Sequence, residues 1–106
     1  MIKFQAVCDD NGNVTEFTVK GHSEMAQCGS DIVCAAVSTA VWMAINGIEC
    51  GKLAKLRYEQ EDGFVHCVIS EKRSGADAVL NSLIYTVSEL SLQYKKRIFM
   101  TRAKRG

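Results

Sequence analysis

Proline is absent from this chain of 106 residues, so its turns have to be read from glycine, asparagine and aspartate. By itself that absence is not diagnostic. No apolar stretch reads as long enough to span a membrane, and the N-terminal Met1-Ile2-Lys3-Phe4-Gln5 alternates where a signal peptide would carry an apolar run. These absences predict a cytoplasmic protein with no membrane partner. Net charge is nearly absent too, because 13 basic and 12 acidic residues leave +1; the whole-molecule field therefore gives no strong case for nucleic acid or an anionic membrane. Five cysteines, Cys8, Cys28, Cys34, Cys50 and Cys67, form an odd set without a repeated pair spacing. That argues against a disulfide framework, lacks the close paired ligands of a structural zinc site, and fits a reducing compartment. Linkers and low-complexity segments are missing, which leaves one domain over 1–106.

What is present is enough for a packed core. Hydrophobic residues make up 47% and charged residues 24%, a balance that excludes disorder as the general state. At 11.7 kDa the chain is small enough for an oligomer to help. The charge is uneven, with Lys95, Lys96, Arg97, Arg102, Lys104 and Arg105 crowding the C-terminus. A solvated strand edge and tail explains this; a contact with an acidic or RNA-bearing partner is the alternative. Aromatic residues are not interleaved with these charges at several positions, so the tail does not read as an RNA platform.

Periodicity predicts the elements in order. Ile2, Phe4, Ala6 and Cys8 alternate along a first strand, Asn11-Gly12 supplies a turn, and Val14–Lys20 alternates again with Val14, Glu16, Thr18 and Lys20 opposite Thr15, Phe17 and Val19. A helix buried on more than one side follows from Ile32 to about Asn46, with Trp42 in its packing or in a substrate pocket, and Asn46-Gly47 caps it. After a connector at Ile48–Leu53, strands at Ala54–Gln60 and Phe64–Ser70 are joined by Glu61-Asp62-Gly63. His66 and Cys67 then point to opposite faces and do not act as a pair. Ser74-Gly75 with Asp77 opens a second, surface-lying helix that runs to about Tyr94, and Arg97–Thr101 is a short last strand. The order ββαββαβ predicts an α/β two-layer sandwich, a mixed sheet with two helices. The two ββα halves share no residue pattern, so no repeat is read.

The stretch Gly21–Ser38, GHSEMAQCGSDIVCAAVS, carries the chemistry. Ser30 and Asp31 are both good N-caps for the helix that follows, which puts Cys34 in or just after its first turn. Unpaired N–H groups and the helix dipole favour a thiolate there. An imidazole from His22 would take the thiol proton and return it to a leaving amine. Gly21 and Gly29 flank the loop as hinges of a possible lid over the site. Glu24 or Asp31 could orient His22, and Asp31 could equally serve only as the cap. Ser38, one turn beyond Cys34 on the same face, could bond back to the helix or support the site.

Gly21-His22 followed by Gly29-Ser30-Asp31-Ile32-Val33-Cys34-Ala35-Ala36-Val37-Ser38 resembles the signature of the ribosomal-processing cysteine protease (Prp) family, in outline over the whole chain. The resemblance implies a homodimeric cysteine endopeptidase whose substrate is the precursor of a large-subunit ribosomal protein of the bacterial L27 type. It implies removal of an N-terminal extension after an aromatic pair and before small residues, in support of ribosome assembly. Carried over by residue, it makes Cys34 the nucleophile and His22 the general base, and it implies no cofactor, no metal and no required nucleic acid. Two other classes are a non-catalytic ribosome- or RNA-binding module and a metal or redox thiol protein using His22, Cys28 and Cys34.

Overall fold

The computed structural model describes residues 1–21, 32–61 and 63–104. Its elements are β1 (Ile2–Cys8), β2 (Val14–Lys20), α1 (Ile32–Gly51), β3 (Lys55–Glu61), β4 (Phe64–Ser70), α2 (Ala76–Gln93) and β5 (Ile98–Lys104). The strands form one sheet in the order β3-β4-β2-β1-β5, in which only the β1–β5 pairing is parallel. This is the expected mixed sheet with two helices in the order ββαββαβ.

Alternation decides which face is buried. In β1, Ile2, Phe4, Ala6 and Cys8 point into the core while Lys3 and Gln5 stay exposed, and in β4 Val65, Cys67 and Ile69 do the same. These side chains join Val37, Val41, Ile45 and Ile48 of α1 and Leu80, Leu83 and Val87 of α2 in one cluster. The rings of Phe4 and Phe17 stack at its centre, 5.8 Å apart and 9° from parallel. Among the described residues, both helices lie on one sheet face and none covers the other.

The strict alternation expected for β2 fails at its start. Val7 pairs with Glu16 but Cys8 pairs with Val14, so Thr15 is an extra residue and forms a β-bulge. Its hydroxyl donates to the Val7 carbonyl at 3.2 Å. The bulge shifts the phase by one residue, and Val14 joins Phe17 and Val19 in the core instead of facing out with Glu16. In the turn before it, Asp9 Oδ1 accepts the N–H groups of Asn11 and Asn13 at 2.9 and 3.0 Å, and Gly12 takes φ 83°. Hydrogen bonding from Asn13, with help from Asn11, holds the Asp9 carboxyl below its ordinary value.

Helix α1 does not stop at Asn46-Gly47, and Ile48–Leu53 is not a connector. The helix runs on to Gly51 because Ile48, 1% exposed, continues the buried stripe of Val37, Val41, Ala44 and Ile45. Its end is a Schellman motif: Lys52 takes φ 52°, the Leu53 N–H reaches the Ile48 carbonyl at 2.9 Å, and the Lys52 N–H reaches Glu49 at 3.2 Å. At 20 residues α1 is also long and apolar enough to cross a membrane by length and composition, contrary to the sequence expectation, yet its buried stripe is part of the domain core.

Gly47 thus lies inside a helix, with a non-positive φ and room for a methyl group, the nearest atom to an added Cβ being Val79 Cγ1 at 3.7 Å. Gly47→Ala is expected to raise stability by about 0.5–1 kcal/mol in urea unfolding. A lower midpoint would mean that the α1–α2 contact does not tolerate the methyl group.

The remaining boundaries differ by small amounts. Helix α2 opens at Gly75 as expected, its N-cap at φ 98° with no side-chain cap bond, and Asp77 in the first turn pairs with Lys72 at 2.8 Å. Strand β5 continues past Thr101 to Lys104 because the parallel ladder with β1 extends to Cys8. Arg102 is held there by Nη2, which donates to the Gly12 carbonyl at 3.2 Å and approaches Cys8 Sγ at 3.6 Å.

Candidate active site

Strand β2 delivers the chain to Gly21, where the fold leaves little freedom. Gly21 takes φ 92°, its N–H donates to the Gly63 carbonyl at 3.0 Å, and an added Cβ would collide with the Met1 carbonyl oxygen. The glycine is a fixed point between the start of β1 and the β3–β4 turn. His22, Glu24, Cys28, Gly29 and Asp31 lie outside the described residues, as does the meeting of His22 with Cys34.

Cys34 is the third residue of α1, within the first turn as its capping pattern predicts. It is half-buried, with one side packed against the core. That side is set by Val33 and Val37, which are buried on either flank of it. Its place at the N-terminal end of α1 puts the thiol at the positive end of the helix dipole, which favours a thiolate or a developing oxyanion.

Ser38 follows one turn later, also half-buried. Among the described residues its hydroxyl makes no hydrogen bond to the helix backbone, unlike Ser82, which donates to the Ala78 carbonyl at 2.8 Å. Ser38 instead opens a groove of about 720 Å³ that runs along α1 past Trp42, Met43, Asn46 and Cys50. Trp42 is fixed by an edge-on contact with Tyr58 of β3, 5.8 Å between ring centroids, and Met43 is 75% exposed. Sequence reasoning placed Trp42 in packing or in a substrate pocket but did not find this groove, because its lower half exists only where α1 continues beyond Asn46.

The other described cysteines differ from Cys34 in surroundings. Cys8 and Cys67 are buried and Cys50 is exposed. Cys67 faces the core while His66 faces outward, where its Nε2 lies 2.8 Å from Glu16 Oε2, so the two residues do not pair. Burial, reinforced by Glu49, pushes the Cys67 thiol up to about 12. Unfolded, the same thiol ionises near its ordinary value of 9.0. Above that pH the unfolded chain binds fewer protons than the fold, so the stability contributed by Cys67 is complete below about pH 9 and is lost as the pH rises toward 12. Urea unfolding at pH 8 and pH 10 should therefore show wild type losing more stability than Cys67→Val, whose side chain cannot ionise; equal losses would contradict the raised thiol.

Residues 1–99 match the family model for Cysteine protease Prp. The ribosomal processing cysteine protease Prp of Staphylococcus aureus is 24% identical over 101 residues, 92% of this chain and 95% of that protein. The protein of the same name from Bacillus subtilis is 27% identical over 95 residues, 83% of this chain and 85% of its own. Crystal structures of the S. aureus ribosomal processing protease Prp, one with a covalently linked product peptide and one with a substrate peptide, share the fold with a TM-score of 0.87. Identity to them is 23% and 22%, over 96% of this chain and 99% of each of theirs. With the family model spanning nearly its whole length, the chain belongs to the Prp family of cysteine proteases.

Proposed function

We propose that this protein is an endopeptidase that removes the N-terminal extension of a large-subunit ribosomal protein, of the bacterial L27 type, with Cys34 as nucleophile and His22 as general base. The observation that carries the reading is Cys34 half-exposed in the first turn of α1, one turn before Ser38, where a groove walled by Trp42 and Met43 begins. Relatives named for ribosomal processing, and a structural relative that holds a substrate peptide, support the substrate class.

In the proposed reaction Cys34 Sγ, its proton passed to His22, bonds to the scissile carbonyl carbon. The oxyanion is held by N–H groups at the start of α1. Collapse breaks the C–N bond, His22 protonates the departing amine, and a thioester remains on Cys34. Water, deprotonated by His22, then hydrolyses the thioester and restores the thiol. Gly21 fixes where the chain leaves β2 just before His22, and in this reading Asp31 and Gly29 are supporting residues. Ser38 and the groove beyond it receive the aromatic side of the cleavage junction.

The same reading places the protein in the cytoplasm as a homodimer. Its support is the apolar surface that the helix layer exposes, with Met43 75% and Tyr85 71% accessible beside a furrow between α1 and α2 lined by Ala40, Val79 and Leu83. Sedimentation should show one species of twice the chain mass.

Mass spectrometry of a peptide carrying a Phe-Phe-Ala-Ser junction tests the activity. Cleavage between Phe and Ala, with an Ala-Ala-Ala-Ser peptide left intact, is the expected result. Equal cutting of both peptides would remove the aromatic requirement, and no cutting of either would contradict the endopeptidase reading.

A further inference from the structure

The sheet face that carries no helix among the described residues holds a row of side chains with no part in the proteolytic reading. Register across four strands places Phe64 of β4, Lys20 of β2, Lys3 of β1 and Phe99 of β5 side by side: Phe64 pairs with Lys20, Lys20 with Lys3, and Lys3 with Phe99. At strand spacings of about 4.8 Å the row spans roughly 14 Å. Phe99 is 54% exposed, Phe64 is half-buried, and both lysines are exposed. Gln5 and Thr101 extend the surface by one row and, with Lys3, Lys20 and Phe99, line a concavity of about 290 Å³.

Two like charges directly opposite on one sheet face repel each other. Among the described residues the acids of this face lie off the lysine pair: Glu16, four residues back along β2, is 2.8 Å from His66, Glu59 pairs with His66 in register, and Glu61 closes the far end of the row beyond Phe64. The basic turn 95–97 joins α2 to β5 at this same end of the sheet. An anion between the lysines would relieve the repulsion, and flat rings would cover the two phenyl groups.

We propose that the open sheet face binds single-stranded RNA, with phosphates over Lys3 and Lys20 and bases stacked on Phe99 and Phe64. A sheet surface with exposed aromatic residues and flanking cations is a recurring way to hold a few unpaired bases, and stacking is tolerant of sequence. Duplex RNA hides its base faces and does not fit. The site is independent of Cys34, and RNA held there need not affect cleavage of a short peptide.

The test is fluorescence anisotropy with a labelled uridine 12-mer, a 12-base-pair RNA duplex of the same label, and a polyglutamate peptide as competitor. Wild type should bind the single strand in preference to the duplex. The double variant Lys3→Gln with Lys20→Gln should reduce the slope of log K against log salt by about 1.4, two phosphates at about 0.7 each. Phe99→Leu, which keeps an apolar side chain but removes the ring, should weaken binding roughly 5-fold or more with the slope unchanged. Because these side chains are exposed, the far-ultraviolet spectrum and the cleavage of the Phe-Phe-Ala-Ser peptide should stay as in wild type. No binding at 50 mM salt, or wild-type binding by both variants, would overturn the proposal. Displacement of the RNA by polyglutamate at equal charge would overturn it as well, in favour of an acidic polypeptide.

Discussion

Replacing Cys34 by alanine is expected to lower the kcat of peptide cleavage by roughly 10⁴-fold or more, with folding unaffected. The thiol is the only group in the proposed reaction that forms a bond to the substrate, so no other side chain can substitute for it. Its removal should leave only the residual help of backbone N–H groups at the start of α1. Cys34 is half-buried and loses a single sulfur atom on truncation to alanine, too little to open a large cavity in the core. His22→Ala should bring a loss of similar order, and the double variant should be little worse than either single one, because groups that act as a unit are not additive. Cys50→Ala, which removes the exposed thiol two turns past Trp42, should retain cleavage. Turnover that survives in Cys34→Ala but not in Cys50→Ala would move the nucleophile to the other end of the groove.

Gly21→Ala should cost about 3 kcal/mol of stability and, with it, roughly 12–24 °C in Tm. Two effects combine. The φ of 92° is strained for any side chain, and the new Cβ would be driven into a backbone carbonyl, that of Met1, which has no rotamer by which to escape. Relief requires Gly21 to move away from β1, and the hydrogen bond to Gly63 opposes that movement. Since residue 22 follows directly, the displaced backbone should also reduce cleavage at temperatures where the variant is folded. Gly12→Ala provides the comparison: its φ is also positive, at 83°, but nothing lies within 4 Å of an added Cβ, so only the backbone strain applies. Calorimetry in which both substitutions lowered Tm equally would remove the steric half of the explanation.

The parts of the fold that could be read from the sequence are those in which one local pattern agrees with burial. Strand β4 is found at Phe64–Ser70 as expected, because Val65, Cys67 and Ile69 alternate without interruption and all three are buried. Strand β2 was misread at its first residue, since a bulge is a property of two paired strands and leaves no mark in the sequence of one. The end of α1 shows local preference losing to burial. Asn46-Gly47 has the composition of a cap, yet the free energy of burying Ile48 carries the helix one more turn, and Lys52 takes up the left-handed position usually given to glycine.

The same distinction separates the two functional surfaces. Cys34 could be placed in the first turn of a helix because capping residue types are local signals. The groove beyond Ser38 required knowing where α1 ends and that Tyr58 on β3 meets Trp42. The row of Phe64, Lys20, Lys3 and Phe99 was further still from sight. The sequence shows a basic C-terminus without aromatic residues interleaved at several positions, and only the register of four strands, drawn from both ends of the chain, brings the rings and the lysines together.

The most direct measurement is to quench wild-type protein with acid during turnover of the Phe-Phe-Ala-Ser peptide and to locate any acyl group by tandem mass spectrometry. A thioester linking the new Phe carboxyl to Cys34 is the expected result, with the adduct absent from Cys34→Ala. An adduct on Cys50, or steady release of product with no adduct on any cysteine, would contradict acyl transfer through Cys34.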